Sequence, residues 1–239
     1  MRETTLGGLK TRLTGGSDRE GGGDGPAVVL LHGYGAPGTD LLPLWRELRA
    51  PAGTRFVFPE GPIALSGPMA PPGGRAWWNL DLERILRATL AGGARVLHDE
   101  TPPGLAEARA LVTELLDQLE RDWRVPPGQL VLGGFSQGAM LSCDVALRSA
   151  RPLAGLVLMS GTIICAPEWA ARYPLRRGLK TLLSHGREDP MLPFSAAEEL
   201  RDQLTEAGID VRWVPFRGGH GIGDAVLNGL GDLLSECLA

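Results

Sequence analysis

Positions 134–138 read Gly-Phe-Ser-Gln-Gly, a serine between two glycines that follows an apolar run and precedes a helical pattern. The glycines would let a strand and a helix approach closely while the hydroxyl of Ser136 stays exposed on a sharp turn between them. This arrangement is typical of the nucleophile elbow, whose serine attacks a carbonyl carbon. A serine hydroxyl alone is a weak nucleophile, so this hypothesis requires a base, an orienting acid and an oxyanion site elsewhere in the chain.

Histidine is the usual base in such a site, and the sequence offers four candidates. His220 lies in a glycine-rich loop after the last predicted strand, where a side chain can reach across the edge of a sheet. His32 and His185 each end a predicted strand as His-Gly, which is typical of a buried ring with structural hydrogen bonds. His98 lies in an irregular segment, where we expect it to be exposed to solvent. His220 is therefore the predicted base.

The acid that orients the histidine is expected after a strand between Ser136 and His220. Glu188 and Asp189 occupy this place, between a predicted strand and a predicted helix. Either carboxylate would fix the imidazole tautomer and stabilise the imidazolium, and their positions in the sequence do not separate them. The chain order serine, acid, histidine is that of α/β-hydrolases and differs from the orders of chymotrypsin and subtilisin.

Two backbone N–H groups are predicted to form the oxyanion hole. One belongs to Gln137, the residue after the nucleophile, at the N-terminus of a predicted helix. We assign the other to Tyr34, in the His-Gly-Tyr-Gly segment that follows an early strand. The alternative interpretation of that segment is that Gly33 and Gly35 only shape a turn.

The elements that would position these residues alternate between strands and helices, which predicts an α/β fold with a mostly parallel central sheet flanked by helices. Continuous apolar runs, typical of strands buried on both faces, predict strands at 27–33, 54–61, 129–136, 153–161, 180–186 and 211–216. Helical spacing of apolar residues predicts helices at 39–49, 105–123, 137–148, 194–208 and from 224 onward. Together with the catalytic order, this pattern predicts the α/β-hydrolase fold.

We expect one domain over residues 1–239, in which 1–26 supply an N-terminal strand and a polar, glycine-rich loop. The long, irregular segment 61–104 interrupts the alternation and is predicted to be a cap-like insertion over the site. Its apolar side chains include three that we predict to bind substrate, namely Trp77, Trp78 and Leu82. Adjacent residues of a helix point in different directions, so one tryptophan would anchor the insertion while the other lines the pocket.

From about Ala27 to the C-terminus the chain resembles the phospholipase/carboxylesterase family, which includes the acyl-protein thioesterases. The matching segments are Leu-Leu-His-Gly-Tyr-Gly at 30–35, the elbow at 134–138, and the segments at 75–81, 185–193 and 218–222. The resemblance implies that Asp189, the second acidic position of its segment, is the catalytic acid. It also implies that residues 75–81, the tryptophan segment, lie near the acyl site.

The family resemblance, together with the residues above, implies a serine hydrolase that cleaves carboxylic esters of short to medium acyl chains, with thioesters as a further class. An acyl-enzyme would form on Ser136, and no metal or organic cofactor is implied. The sequence has no His-Glu-x-x-His motif and no histidines and cysteines at metal-ligand spacing. The expected partner is a small-molecule or lipid ester.

Composition excludes several other classes. Of the 239 residues 43% are hydrophobic, which suffices for a sizeable core, and a net charge of −4 without a basic stripe argues against nucleic acid. No apolar run approaches the roughly 18 residues of a membrane span, and the first residues do not have the pattern of a secretory signal. Three widely spaced cysteines favour reduced thiols, hence a cytoplasmic protein, and we expect a monomer or homodimer.

Two alternatives remain from the sequence alone. The segment Gly33-Tyr34-Gly35-Ala36-Pro37-Gly38 also fits the Gly-x-Gly-x-x-Gly pattern of NAD(P)-binding oxidoreductases, with Glu60 about 20 residues further on. Pro37 argues against it, because proline removes an N–H that the pyrophosphate would need. The second alternative is a non-catalytic binding protein on a hydrolase fold.

Overall fold

The apolar runs of the sequence form a nine-stranded sheet in the computed structural model, which describes residues 1–67, 70–91 and 97–238 without the side chains of residues 86 and 89. The strand order is β1-β2-β5-β4-β8-β9-β10-β11, with β3 beside β2, and a separate hairpin joins β6 and β7. The strands are β1 (Arg2–Leu6), β2 (Leu9–Gly16), β3 (Glu20–Gly22), β4 (Ala27–Leu31), β5 (Arg55–Pro59), β6 (Ile63–Ala64), β7 (Arg75–Ala76), β8 (Leu130–Phe135), β9 (Gly155–Met159), β10 (Lys180–Gly186) and β11 (Asp210–Phe216).

Helices cover both faces of this sheet. They are α1 (Leu44–Glu47), α2 (Leu82–Leu90), α3 (Leu105–Arg121), α4 (Gln137–Arg148), α5 (Ala166–Ala170), α6 (Phe194–Glu206) and α7 (Asp224–Leu238), and a 3₁₀ turn spans Tyr173–Arg176. None of the helices in the described ranges is long and apolar enough to cross a bilayer.

The central strands are apolar throughout because both of their faces are covered. From β4 to β11, and between β4 and β5, neighbouring strands pair in parallel, whereas β2 pairs antiparallel with β1 and β5. Successive side chains of β4 enter different cores: Val29 packs in the cluster with α3 and α4, and Val28 packs in the cluster with α7. This period of two places one hydrophobic layer on each side of the sheet.

The N-terminal region differs from its prediction. We expected one strand and a polar loop in residues 1–26, whereas the structure has β1, β2 and β3 there. Gly7 and Gly8 make the tight turn between β1 and β2, with φ of 56° and 76°, a region that glycine enters without strain. The glycine-rich sequence therefore forms turns and paired strands here. This is possible because strand pairing needs only the hydrogen bonds of the backbone.

The helix predicted at 39–49 is also shorter than expected. Turns occupy residues 39–43, and only the four-residue α1 is helical. Pro43 explains the difference, because its ring disfavours helical geometry at the preceding residue and it has no N–H to donate.

The segment 61–104 contains the β6–β7 hairpin and α2, so it is more regular than its composition indicated. Two parts of the predicted insertion, residues 68–69 and 92–96, lie outside the described residues. In the remainder, Trp77 and Trp78 pack in the same core cluster as Leu31 of β4 and Leu132 of β8.

Parallel pairing brings the predicted site residues to one edge of the sheet. His32 directly follows β4, Ser136 follows β8, Asp189 follows β10 by three residues and His220 follows β11 by four. Because parallel strands point the same way, their carboxyl ends meet, and loops from distant parts of the chain converge there.

Helix α4, which begins after Ser136, is held in place by a buried carboxylate. Asp144 is completely buried and accepts hydrogen bonds from Arg109 Nη1 at 2.6 Å, Arg148 Nε at 2.8 Å and Trp169 Nε1 at 2.9 Å. Arg109 belongs to α3 and Trp169 to α5, so a single carboxylate connects three helices.

We expect Asp144→Ala to lower the free energy of unfolding by about 3 kcal/mol or more, because it leaves the buried Trp169 N–H and two guanidinium groups without their acceptor. Urea denaturation measures this change. Asp232→Ala is the matched control, since Asp232 pairs with Arg49 but is 54% exposed and should contribute little. Equal losses in both variants would contradict the anchoring role of Asp144.

Candidate active site

Ser136 has a backbone conformation that residues other than glycine rarely adopt, with φ of 54° and ψ of −115°. The close approach of α4 to β4 and β8 maintains it. A Cβ atom on Gly138 would collide with the carbonyl oxygen of Leu31, and one on Gly134 would lie 2.5 Å from the Gly138 carbonyl carbon. Both glycines of the elbow are therefore required for steric reasons, and they hold the serine at the start of the helix.

The structure brings the predicted nucleophile, base and acid into one hydrogen-bonded series. Ser136 Oγ lies 2.9 Å from His220 Nε2, and His220 Nδ1 lies 2.7 Å from Asp189 Oδ2. The serine can donate to Nε2 because Nδ1 donates to the carboxylate, so the contacts with both neighbours fix the tautomer. The His220 ring also packs against Phe135, with 4.9 Å between the ring centroids.

Asp189 is a well-satisfied buried carboxylate. Its Oδ1 accepts the backbone N–H groups of Met191 at 2.8 Å and Leu192 at 2.9 Å, while Oδ2 faces His220 and His185. Burial raises the pKa of Asp189, but hydrogen bonds from His185 and His220 outweigh burial and hold it well below its ordinary value. The carboxylate therefore remains ionised beside the histidine.

The neighbouring acid, Glu188, has a different place. Its carboxylate accepts the N–H of Gly218, and its own N–H donates to the Gly218 carbonyl at 3.0 Å. These two bonds fasten the histidine loop, residues 217–223, to the acid loop, residues 187–193. Ser160, which directly follows β9 and has φ of 50°, holds the histidine loop from another side, because its hydroxyl donates to the Gly221 carbonyl at 3.1 Å.

The two residues predicted to supply the oxyanion donors both lie near Ser136. Gln137 is the first residue of α4, so its N–H has no acceptor within the helix. Tyr34 borders the same cavity as Ser136 and His220. The preceding Gly33 passes so close that a Cβ atom there would lie 3.3 Å from Ser136 Cβ. Residues 32–36, which we call the oxyanion loop after their predicted role, thus run directly beside Ser136.

The side chain of Gln137 was not singled out from the sequence, yet it is completely buried and makes two hydrogen bonds. Its Oε1 accepts the Trp77 N–H at 2.9 Å, and its Nε2 donates to the Trp78 carbonyl at 2.9 Å. Trp77 Nε1 in turn donates to the His32 carbonyl at 2.9 Å. The elbow, the tryptophan segment and the oxyanion loop are therefore linked by three buried bonds.

Trp77 and Trp78 were predicted to bind substrate, but neither side chain lines the cavity at Ser136. They are 1% and 0% exposed and pack in the hydrophobic core, and Trp77 supports the oxyanion loop through its bond to the His32 carbonyl. Leu82, the third predicted binding residue, does border the cavity and is 40% exposed.

The cavity at Ser136 has a volume of about 120 Å³ and a mostly apolar lining. Its apolar side chains come from Leu80, Leu82, Ile85, Leu97, Met140, Met191 and Leu192. A groove of about 330 Å³ adjoins it, shares Tyr34 and Leu82 with it, and continues along Gly35, Leu65, Ser66, Ala70 and Pro71. Except for Leu82, sequence reasoning missed the apolar lining, because no periodic pattern marks side chains from four separate segments as neighbours.

The other histidines have structural contacts. Within the oxyanion loop, His32 Nε2 accepts the Gly61 N–H at 2.9 Å and Nδ1 lies 2.7 Å from the Gly33 carbonyl oxygen. Burial lowers the pKa of His32, and the bond to Gly33 opposes this only in part. His98, expected in solvent, is only 12% exposed, with its ring nitrogens beside Asp99 and Glu199.

The fold and the site together define an α/β-hydrolase. The model of the phospholipase/carboxylesterase family matches residues 22–238, and the chain belongs to that family. The predicted fold and the resemblance seen in the sequence are thereby confirmed.

Individual relatives agree with this assignment. A protein named acyl-protein thioesterase 1 from Neurospora crassa is 26% identical over 222 residues, covering 88% of this chain and 86% of the relative. The crystal structure of esterase PE8 is 31% identical, covers 96% of this chain and 99% of its own, and superposes with a TM-score of 0.78. A carboxylesterase structure from Mesorhizobium loti shares the fold at 19% identity, with a TM-score of 0.73 and coverage of 98% and 99%.

The dinucleotide alternative is not supported. The glycine-rich segment 33–38 does not lead into a helix, because α1 begins only at Leu44, whereas that fingerprint needs a helix N-terminus for the pyrophosphate. Instead the Gly35 N–H bonds to the Arg75 carbonyl at 2.9 Å. Glu60 forms ion pairs with Arg12 and Arg75.

The second alternative, a binding protein without catalysis, is not supported either, since the relatives are named as enzymes. Within residues 1–67, 70–91 and 97–238, no group of three or more His, Cys, Asp or Glu side chains is arranged to hold a metal ion.

We expect Gln137→Met to slow modification of Ser136 by a fluorophosphonate about 10-fold and to lower the free energy of unfolding by about 1–3 kcal/mol. The substitution keeps the backbone N–H but leaves the Trp77 N–H and the Trp78 carbonyl unpaired in the core. Stopped labelling reactions and urea denaturation measure the two effects. Gln129→Met, at an exposed position before β8, is the control and should change neither. A labelling rate equal to that of the parent would show that the Gln137 side chain does not help to position Ser136.

Proposed function

We propose that the protein is a serine esterase that hydrolyses carboxylic esters through an acyl-enzyme on Ser136. The observation that carries this proposal is the hydrogen-bonded series from Ser136 Oγ to His220 at 2.9 Å and from His220 to Asp189 at 2.7 Å, next to an apolar cavity. Family membership and enzyme relatives add to it.

The reaction proceeds in two halves. As Ser136 Oγ attacks the ester carbonyl carbon, its proton passes to His220 Nε2, and the backbone N–H groups of Tyr34 and Gln137 receive the developing oxyanion. His220 then gives the proton to the departing alkoxide, which leaves as an alcohol. A water molecule attacks the acyl-enzyme with His220 as base, and the acid departs while the proton returns to Ser136. Throughout, Asp189 holds the imidazole orientation and stabilises its positive charge.

The size of the cavity favours short acyl chains. At about 120 Å³ it is smaller than an apolar cavity of about 150 Å³ that holds benzene, which favours a short acyl chain. The adjoining groove of about 330 Å³ is the place for the alcohol part of the ester. We assign the apolar cavity to the acyl group because it lies against both Ser136 and His220 and is almost entirely apolar.

Thioesters are a second substrate class for the same site. Relatives from Neurospora crassa and Dictyostelium discoideum are named as acyl-protein thioesterase 1 and a homologue of it. The chemistry requires no further residue, because a thiolate leaves in place of an alkoxide and accepts the same proton from His220.

We further propose that residues 1–239 act as one domain, with the 61–104 segment forming one wall of the substrate site. The bonds from Gln137 to Trp77 and Trp78 support this, because they tie the segment to the elbow. An odd number of cysteines supports a cytoplasmic location, where thiols stay reduced.

The nucleophile is tested by incubation with a fluorophosphonate followed by intact-protein mass spectrometry. We expect one adduct on the parent protein, none on Ser136→Ala, and one on the control Ser235→Ala, whose hydroxyl belongs to α7 and donates to the Gly231 carbonyl. An adduct on Ser136→Ala, or none on the parent, would sink the proposed function.

We expect Leu82→Ala to shift acyl preference toward longer chains. Leu82 borders both the cavity and the groove, so trimming it joins the two spaces. The ratio of kcat/KM for p-nitrophenyl octanoate over butyrate should rise about 10-fold, below the limit set by about 0.8 kcal/mol for each buried methylene. Leu90→Ala, at an exposed position of the same helix, is the control. An unchanged ratio in Leu82→Ala would place the acyl group elsewhere.

A further inference from the structure

His185 is a buried histidine beside the acid of the site. It lies near the end of β10, its side chain is completely buried, and its Nε2 is 2.9 Å from the Leu192 carbonyl oxygen and 3.2 Å from Asp189 Oδ2. Both oxygens are acceptors, so Nε2 must carry the hydrogen. In the described structure Nδ1 has no hydrogen-bond partner, which leaves the ring as the Nε2–H tautomer.

The bond from His185 completes the surroundings of the Asp189 carboxylate. Oδ1 has two donors, the N–H groups of Met191 and Leu192. Oδ2 accepts a bond from His220 and lies 3.2 Å from Nε2 of His185, whose one hydrogen it shares with the Leu192 carbonyl. These contacts on both oxygens restrain the rotation of the carboxylate. Its charge is shared between two imidazole rings.

We propose that His185 is a positioning residue that fixes the Asp189 carboxylate and shares its charge, and thereby sets the pH range in which His220 serves as the base. This inference rests on the proposed function, because it assigns the base to His220. The pKa of Asp189 agrees with it: burial raises that pKa, and the hydrogen bond from His185 is the first of the effects that lower it.

The effect on His220 follows from the shared oxygen. A carboxylate that also accepts a bond from His185 attracts the proton on His220 less strongly than one that serves His220 alone. Without His185, Asp189 would stabilise protonated His220 more, and the base would be lost at a higher pH. The carboxylate would also rotate more freely, and fewer molecules would have the productive alignment.

Other charges lie near this group but do not take the place of His185. Glu188 is occupied by the Gly218 N–H in the histidine loop. The Arg187 guanidinium lies 5.0 Å from the centre of the Phe194 ring, and that ring packs edge-on against His185. Both charges remain in the variants below, so they do not account for a difference between those variants and the parent.

Two substitutions separate the hydrogen bond from the space that the ring fills. His185→Leu removes the donor and keeps an apolar side chain, whereas His185→Gln keeps an N–H close to the position of Nε2. Ser184→Ala is the matched control, because Ser184 is buried on the same strand and its hydroxyl has no hydrogen-bond partner in the described structure. Hydrolysis of p-nitrophenyl acetate is followed from pH 5 to 9 for each variant.

We expect His185→Leu to lower kcat about 10-fold with little change in KM, and to raise the acidic midpoint of the kcat/KM profile by about one pH unit, the scale of one hydrogen bond to a charged group. His185→Gln should stay close to the parent in both respects, and Ser184→Ala should match it.

The outcomes distinguish this inference from the proposed function. An inactive parent protein that fluorophosphonate does not modify refutes the proposed function itself. An active parent with an unchanged profile in His185→Leu refutes only the role of His185. If His185→Gln is impaired as much as His185→Leu, packing and not the hydrogen bond matters, and the inference is likewise overturned. If His185→Leu fails to fold, His185→Gln still tests the inference. A pH profile like that of the parent supports the role of the hydrogen bond, and a different profile overturns it.

Discussion

The contact between Gly138 and the Leu31 carbonyl is the constraint on which the rest of the site depends. Backbone approaches backbone there with no room for a Cβ atom, so α4 can leave β8 only through a turn that strains Ser136. The strain is stable because a nine-stranded sheet on one side and the buried Asp144 on the other prevent α4 from moving away. The same contact puts the helix N-terminus next to the oxyanion loop, where its partial positive charge favours an anion.

Much of this arrangement could be predicted from the sequence because its signals are local. Apolar runs identified β4, β8 and β10, and the residue types after those strands indicated where the chemistry would lie. The structure brings Ser136, Asp189 and His220 within hydrogen-bonding distance. Features that depend on contacts between distant segments were missed. The amide of Gln137 meets residues about 60 positions away, and the role of His185 is visible only once Asp189 is next to it. Trp77 and Trp78 were predicted to line the pocket for a different reason: a large aromatic side chain suits a core as well as a pocket, and the sequence does not distinguish the two.

The 61–104 segment also takes part in the electrostatics of the site. Glu60, at the end of β5, pairs with Arg12 from the N-terminal hairpin and with Arg75 from β7. The backbone of residue 75 exchanges hydrogen bonds with Gly35 and Ala36, so this half-buried ion cluster borders the oxyanion loop. The N-terminal hairpin therefore helps to hold the oxyanion loop through a charge pair, because burial leaves each of these ions dependent on its partner.

The side chains of Ser136, His220 and Asp189 are joined by hydrogen bonds and at least partly buried, whereas Leu82, which borders both the cavity and the groove, is 40% exposed on a short helix. Exposed side chains tolerate replacement, and buried polar networks do not. On the proposed function, substitutions at this position change the space open to the ester and leave folding and bond cleavage intact. Substrate range and bond cleavage thus depend on different parts of the molecule. Changes on a helix surface can broaden the range of substrates while the reaction itself is retained.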